Sequence, residues 1–256
     1  MNNPASASPS YFGQTAAIRC ERAAAELRAG RPVVISDGQQ RLASIALDSS
    51  SPEGYAAFAE AAQGRHYLFL SAARAQTLGI NATNGIHVPL ADRAFAELPA
   101  LAYLRDAVTP ADAQASGNAL DAATVEVARL GLLLPAMISV PLDAAGSPFD
   151  DCLQLDTTAL YEGAGQAGQD YELVTRSPVP LRDVGMSEFA VFRGGVAQRD
   201  QVAVIVGNPD MSGIVPVRVH SSCLTGDLFG SLKCDCGDQL RRGLRTLKEL
   251  GGGILL

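Results

Sequence analysis

A chain of 256 residues has room for one large domain or two modest ones, and 47 % apolar with 18 % charged residues excludes a disordered chain. A net charge of -7 argues against a nucleic-acid partner, and no apolar run approaches the ~18 residues that a membrane span needs. The first residues, MNNPASASPSYFGQ, lack the charged start and apolar core of a secretory signal, so the expected setting is cytoplasmic, with no membrane partner.

Residues 1–14 are rich in Ser, Pro, Asn and Gly and are expected to be a disordered tail. Residues 16–29 place Ala, Leu and Arg/Glu at helical spacing, and Gly30 with Pro32 supplies a stop. Pro32–Ile35 reads as a buried strand, Asp37-Gly38 as a turn, and Leu42–Leu47 as a second strand. Helix and strand signals alternate to about residue 140, the pattern of an α/β domain. From Asp143 to about Asp170 the chain is rich in Gly, Asp and Ala and is expected to be a linker or long loop, with a domain boundary near residue 170. The charge changes there too. Residues 1–170 hold ten Arg, no Lys and eighteen acidic residues, whereas residues 171–256 hold ten basic and nine acidic ones, so the second part more easily holds a small anion.

Beyond that boundary, Glu188–Arg193 and Gln201–Gly207 read as strands. Val215–His220 alternates, which puts Val215, Val217 and Val219 on one face and Pro216, Arg218 and His220 on the other. Leu240, Leu244 and Leu247 mark an amphipathic helix that stops at Gly251. Ile254–Leu256 opens a further strand, expected as an unpaired edge that would favour pairing, a homodimer included.

Three of the five cysteines, Cys223, Cys234 and Cys236, fall within fourteen residues. Thiolates are soft ligands suited to Zn2+, and three protein ligands with one open position is the pattern of a catalytic zinc, which lowers the pKa of a bound water to ~7. The spacing leaves two other readings open: a structural site completed by His220, or three small buried thiols. Cys20 and Cys152 stand alone and are expected to be packing residues or inert thiols.

The string VRVHSSCLTGDLFGSLKCDCGDQL, Val217–Leu240, closely resembles the GTP cyclohydrolase II signature, in which R-V-H-S-E-C-L-T-G-D is followed by S-L-R-C-D-C-G-x-Q-L. The match runs without a gap, and residues from about 177 to 207 resemble the opening strands of that family. The resemblance implies a zinc hydrolase that opens the imidazole ring of GTP and releases formate and pyrophosphate, the first step of riboflavin biosynthesis. It implies Zn2+ on Cys223, Cys234 and Cys236, and a GTP-binding segment of Arg218, Val219, His220, Ser221 and Ser222 with Gln239. Mg2+ would accompany the GTP phosphates. Gln239 is expected in the first helical turn, where free backbone N–H groups favour anions. Ser222 stands where the family has Glu, which opens an alternative: a paralogue acting on another nucleotide or pyrimidine. A catalytically inactive zinc-binding module is the third reading. The resemblance also implies that residues 171–256 are the first half of the family domain. No catalytic residue is then expected within this chain, the rest of the active site lies beyond residue 256, and the chain alone is expected to be inactive.

Residues 15–170 resemble, more faintly, 3,4-dihydroxy-2-butanone-4-phosphate synthase, through AAAELRAGRPVVISD, NGIHVPLADRA and VEVARLGLLLPA. The acidic loop of that family, R-E-x-E-G-D-L, aligns with Arg41–Leu47 and has lost its carboxylates to Leu42, Ser44 and Ala46, while its metal-binding histidine falls near Leu120. The resemblance therefore implies a degenerate domain without synthase activity, since Mg2+ needs hard oxygen ligands. The expected fold class is α/β with mixed sheets, in two domains.

Overall fold

The computed structural model describes residues 15–143, 146–166, 171–194 and 200–256; the expected tail, residues 1–14, lies outside them. The chain divides into two compact units, Met1–Gly168 and Gln169–Leu256. Both are mixed α/β. Among the described residues no helix is long and apolar enough to cross a membrane.

The first unit is built from α1 (Ala16–Arg28), β1 (Val33–Ser36), β2 (Arg41–Ala46), α2 (Pro52–Ala62), β3 (Tyr67–Leu70), α3 (Ala72–Thr77), β4 (Ile86–Pro89), α4 (Leu98–Tyr103), α5 (Ala119–Leu130), β5 (Ala136–Leu142), β6 (Leu153–Asp156) and α6 (Thr157–Gln166). Its six strands run in the order β4-β3-β5-β2-β1-β6, antiparallel except for the parallel β1–β6 pair. Helix starts follow local chemistry: Thr15, Ser51, Ser71 and Asn118 each cap a backbone N–H, which meets the unsatisfied donors of a first turn.

One face of this sheet packs Val34, Ala43, Ile45, Leu68 and Ile138 against Phe58 and Leu98. The other lies under α1 and α5. Covered on both sides, β2 is buried from Leu42 to Ala46. The stretch aligned above with an acidic loop is thus a central strand, where a carboxylate would need a buried partner. Ser44 meets that demand with the Ser139 hydroxyl at 2.8 Å. Asp121 is wholly buried and meets it with three donors: the Tyr67 hydroxyl at 2.8 Å, His87 Nε2 at 2.7 Å and the Asn118 N–H at 3.0 Å.

The expected linker is a correction. The described part of residues 143–170 adds β6 to the sheet edge and α6 against α1. Its glycines signal close packing here rather than flexibility. A Cβ on Gly163 would lie 2.6 Å from both the Ala16 carbonyl oxygen and Cys20 Sγ, so only glycine lets the two helices approach. Cys20 is buried in that contact, its thiol pushed up to about 11 by burial.

The second unit contains β7 (Tyr171–Leu181), β8 (Gly185–Gly194), β9 (Gln201–Gly207), β10 (Val217–Arg218), α7 (Leu224–Asp227), α8 (Cys236–Glu249) and β11 (Gly252–Leu255). The strand order is β10-β11-β9-β8-β7. The amphipathic helix forms as its leucine spacing predicts. Leu240, Leu244 and Leu247 pack on Val204, Val206 and Leu255, each such side chain contributing up to ~1.5–3 kcal/mol of burial. Gly251, at φ +86, then turns the chain sharply into β11.

Two further expectations are corrected. The strand opened by Ile254 is no free edge, because β11 is paired to β9 on one side and to β10 on the other. The edge is β10. The alternating stretch Val215–His220 forms only two residues of strand, Val217 and Arg218, both exposed; beyond it Val219 is 72 % exposed, while the His220 side chain is 6 % exposed. An edge strand has one neighbour to dictate its faces, and a polar partner for His220 outweighs the alternation.

The α1–α6 contact yields a test. Gly163→Val should destabilise the protein by ~1–3 kcal/mol through overpacking. Gly165→Ala, where an added Cβ meets nothing within 4 Å, should be neutral or stabilising by up to ~1 kcal/mol. Urea unfolding followed by circular dichroism reads both.

Candidate metal centre and adjoining groove

The site forms where the loop after β10 meets the start of α8. Cys223 caps the single turn of α7, Cys236 opens α8, and Cys234 lies two residues before it. The three Sγ atoms lie within 4.8 Å of one another, and Cys223 Sγ is 3.8 Å from Cys234 Sγ. Two thiolates bound at ~2.3 Å with a tetrahedral angle lie about 3.8 Å apart, so the donor set and its spacing fit Zn2+. Among the described residues this is the one cluster of three His, Cys, Asp or Glu side chains placed to hold an ion, and Mg2+ has no oxygen-ligand counterpart there.

Small residues make the convergence possible. A Cβ on Gly226 would lie 2.9 Å from both Cys234 Sγ and Cys236 Cβ, and one on Gly237 would collide with the Gly226 carbonyl oxygen. Short polar contacts then tune the thiols. The Thr225 hydroxyl, 3.5 Å from Cys223 Sγ, together with the Gly226 N–H and the other two cysteines, lowers the Cys223 thiol to about 7. At Cys236 the Ser221 hydroxyl, 3.8 Å away, pulls the thiol down, but Cys223, burial and Cys234 leave it above its ordinary range.

The nucleotide-lining residues read from the sequence divide into two groups. Arg218 and Gln239 come together: an Arg218 guanidinium N–H donates to Gln239 Oε1 at 2.7 Å, and Gln239 Nε2 donates to Asp235 Oδ1 at 2.8 Å. They border an open groove of about 700 Å3 between β10 and α8, completed by Pro216, Arg242 and Thr246. Asp235, between two of the cysteines, carries the groove to the thiols. Its carboxyl is held below the usual range, first by Gln239. Two arginines against one aspartate leave the groove with a net positive charge. Among the described residues no carboxylate pairs with Arg218, so its remaining donors are open to an anion. Gln239 differs from expectation, because its backbone N–H is already bonded to the Asp235 carbonyl at 2.9 Å and only its side chain faces the groove.

The second group lies on the loop. Ser221 faces Cys236, Val219 is exposed, and Ser222 takes a left-handed backbone at φ +52, uncommon for a residue with a side chain. His220 turns inward, its Nε2 2.8 Å from Asp227 Oδ2. Sequence reasoning missed Asp227, Asp235 and Arg242. Asp227 stands inside the quoted L-T-G-D, but its pairing with His220 is a contact that no periodicity reports. Leu224, Leu228, Phe229 and Leu232 on the same loop are exposed.

A family model described as GTP cyclohydrolase II matches residues 172–256. A GTP cyclohydrolase-2 of Xylella fastidiosa (strain 9a5c) is 57 % identical over 259 residues, covering 100 % of this chain and 65 % of that protein. A GTP cyclohydrolase-2 of Azospirillum brasilense is 35 % identical over 142 residues, 53 % of this chain and 37 % of that protein. The chain thus spans 65 % of the length of the Xylella relative. Among solved structures, a two-domain 3,4-dihydroxy-2-butanone 4-phosphate synthase from A. baumannii covers 93 % of this chain at 18 % identity, with a TM-score of 0.38, too distant to decide anything about either unit.

The lowered Cys223 thiol has a measurable consequence. In chelator-treated protein Cys223 should be alkylated by iodoacetamide faster than Cys236. Its rate should hold down to about pH 7 and fall as the pH drops through that value, because protonation then removes the thiolate. Mass-spectrometric mapping of the adducts across a pH series measures it.

Proposed function

We infer, from the match of residues 172–256 to a GTP cyclohydrolase II family model and from 57 % identity to a GTP cyclohydrolase-2, that this chain provides the zinc centre and part of the nucleotide wall of a GTP ring-opening hydrolase. The reaction proposed for the whole protein opens the imidazole ring of GTP with loss of formate and pyrophosphate, at the head of riboflavin biosynthesis. The observation that carries this reading is the cluster of three thiols within 4.8 Å of one another, joined through Asp235 to a groove bordered by Arg218 and Gln239.

Cys223, Cys234 and Cys236 would hold the zinc ion, which supplies Lewis-acid activation of water. Arg218 would bind a phosphate oxygen through its planar fork of donors, oriented by the bond to Gln239. Gln239, with a donor and an acceptor on one amide, would also read a polar edge of the nucleotide. Val219, Ser221 and Ser222 would line the bound nucleotide from the loop, where Ser222 offers a hydroxyl and no charge. The first unit is proposed to lack synthase activity, since Leu42, Ser44 and Ala46 are buried strand residues without a carboxylate.

Binding is the measurement that addresses the residues named here. One Zn2+ per chain is expected, and the double substitution Cys234→Ser with Cys236→Ser should abolish it; metal analysis of reduced, zinc-supplied protein decides. Arg218→Ala should weaken GTP binding by roughly 10- to 100-fold, the loss of a charged hydrogen bond of about 1.5–3 kcal/mol, while leaving the zinc content unchanged. Calorimetric titration with GTP that gave equal affinities would exclude Arg218 from the nucleotide wall. Mg2+-dependent formate release from ribulose 5-phosphate is expected to be absent, and its detection would refute the reading of the first unit.

A further inference from the structure

We propose that His220 and Asp227 are positioning residues of the metal centre, their hydrogen bond tying together the two ends of the loop that holds Cys223 in reach of Cys234 and Cys236. The inference rests on the zinc reading above and assigns His220 a task other than touching nucleotide.

The loop runs from His220 to Asp227, and it meets all three thiols. Ser221 Oγ is 3.8 Å from Cys236 Sγ, Thr225 Oγ1 is 3.5 Å from Cys223 Sγ, and Gly226 lies against Cys234. Its first end is anchored: the His220 N–H donates to the Leu256 carbonyl at 2.7 Å, and the Leu256 N–H to the Arg218 carbonyl at 2.9 Å. Its other end is the last residue of a four-residue helical turn, far too short to persist by itself.

Apolar burial does not hold that turn in place. Leu224 is 64 % exposed and Leu228 69 % exposed, so the side chains flanking the turn have no core beneath them. Ser222, in its left-handed backbone, adds strain that something must hold. What remains is polar. Asp227 Oδ2 meets His220 Nε2 at 2.8 Å, with side chains 19 % and 6 % exposed, so the hydrogen bond is shielded from competing water. The Asp227 N–H also donates to the Cys223 carbonyl at 2.8 Å, so the carboxylate that grips His220 sits on the turn that Cys223 caps. Closing the loop through this pair removes the entropy that its open ends would regain. His220 Nε2 is thereby committed, and a ring this deeply buried presents little surface to a ligand.

The test is the Zn2+ affinity of the full 256-residue chain, by competition with a chromogenic chelator, with the thiolate absorption band of the Co2+-loaded protein as a second readout. His220→Ala and Asp227→Ala should each lower Zn2+ affinity about 10- to 100-fold, the usual effect of losing an outer-shell support. The double variant should be no worse than the weaker single one, because the two residues act as one contact. His220→Gln, which retains an N–H able to reach Asp227, should recover most of the affinity; a merely space-filling role would give no such rescue. If the alanine variants lose their cooperative thermal transition, Asp227→Asn keeps the shape, removes the charge, and should show an intermediate loss. Folded variants with wild-type Zn2+ affinity and band would overturn the inference. Unchanged Zn2+ affinity with weakened GTP binding in His220→Ala would place His220 in the nucleotide wall instead. A wild-type chain that takes up no Zn2+ would overturn the zinc reading itself, and this inference with it.

Discussion

The backbone contact between Gly226 and Gly237 is the constraint on which the three-thiol cluster depends. Three thiols from two separate segments can lie within 4.8 Å of one another only if the segments carrying them touch without intervening side chains. At Gly226 even one methyl group would press on Cys234 and Cys236, and at Gly237 it would strike the opposite carbonyl. The same device joins α1 to α6 in the first unit, where Gly163 faces Cys20. In both units a thiol packs where glycine has removed the obstacle. The outcomes differ with the surroundings: Cys20 is sealed among carbonyls and inert, whereas Cys223 is surrounded by donors that favour its thiolate.

Around the centre, polar contacts do what a hydrophobic core does elsewhere. The core of the second unit lies under α8, on Leu240, Leu244 and Leu247, and anchors the Cys236 end of the site. The Cys223 end has little apolar cover and is held by the β10–β11 ladder, the His220–Asp227 pair and the glycine contact. A site stabilised in this way is stiff in direction but sensitive to single substitutions, since each contact has no neighbour to share its load. The adjoining groove follows the same pattern, with Asp235, Gln239 and Arg218 linked in one chain of hydrogen bonds that fixes the guanidinium before any ligand arrives.

The first unit gives a contrast in what burial does to polar groups. Asp121 is accommodated because three donors converge on it, and Ser44 because Ser139 faces it across the strand pair. These two groups are matched by neighbours, whereas His66 Nδ1 and the Tyr103 hydroxyl are buried without a partner among the described residues, and β2 itself carries no carboxylate. That leaves the unit a packed scaffold at the positions where its distant resemblance would have placed metal-binding acids.

The sequence alone marked the candidate ligands and the elements that report themselves locally. Three cysteines within fourteen residues stood out as a candidate metal-ligand set, and the signature around them gave the expectation of zinc. Leucine periodicity marked α8, and alternation with turn residues marked β1, β2, β8 and β9, because those signals arise within one element. Only the tertiary structure decided contacts between elements. It turned the described part of residues 143–170 from a linker into β6 and α6, because glycine composition does not distinguish flexibility from close approach. It placed β11 inside the sheet and left β10 at the edge, since pairing order is a property of the whole sheet. It directed His220 inward, because Asp227 offers a buried ring nitrogen a partner that water no longer provides.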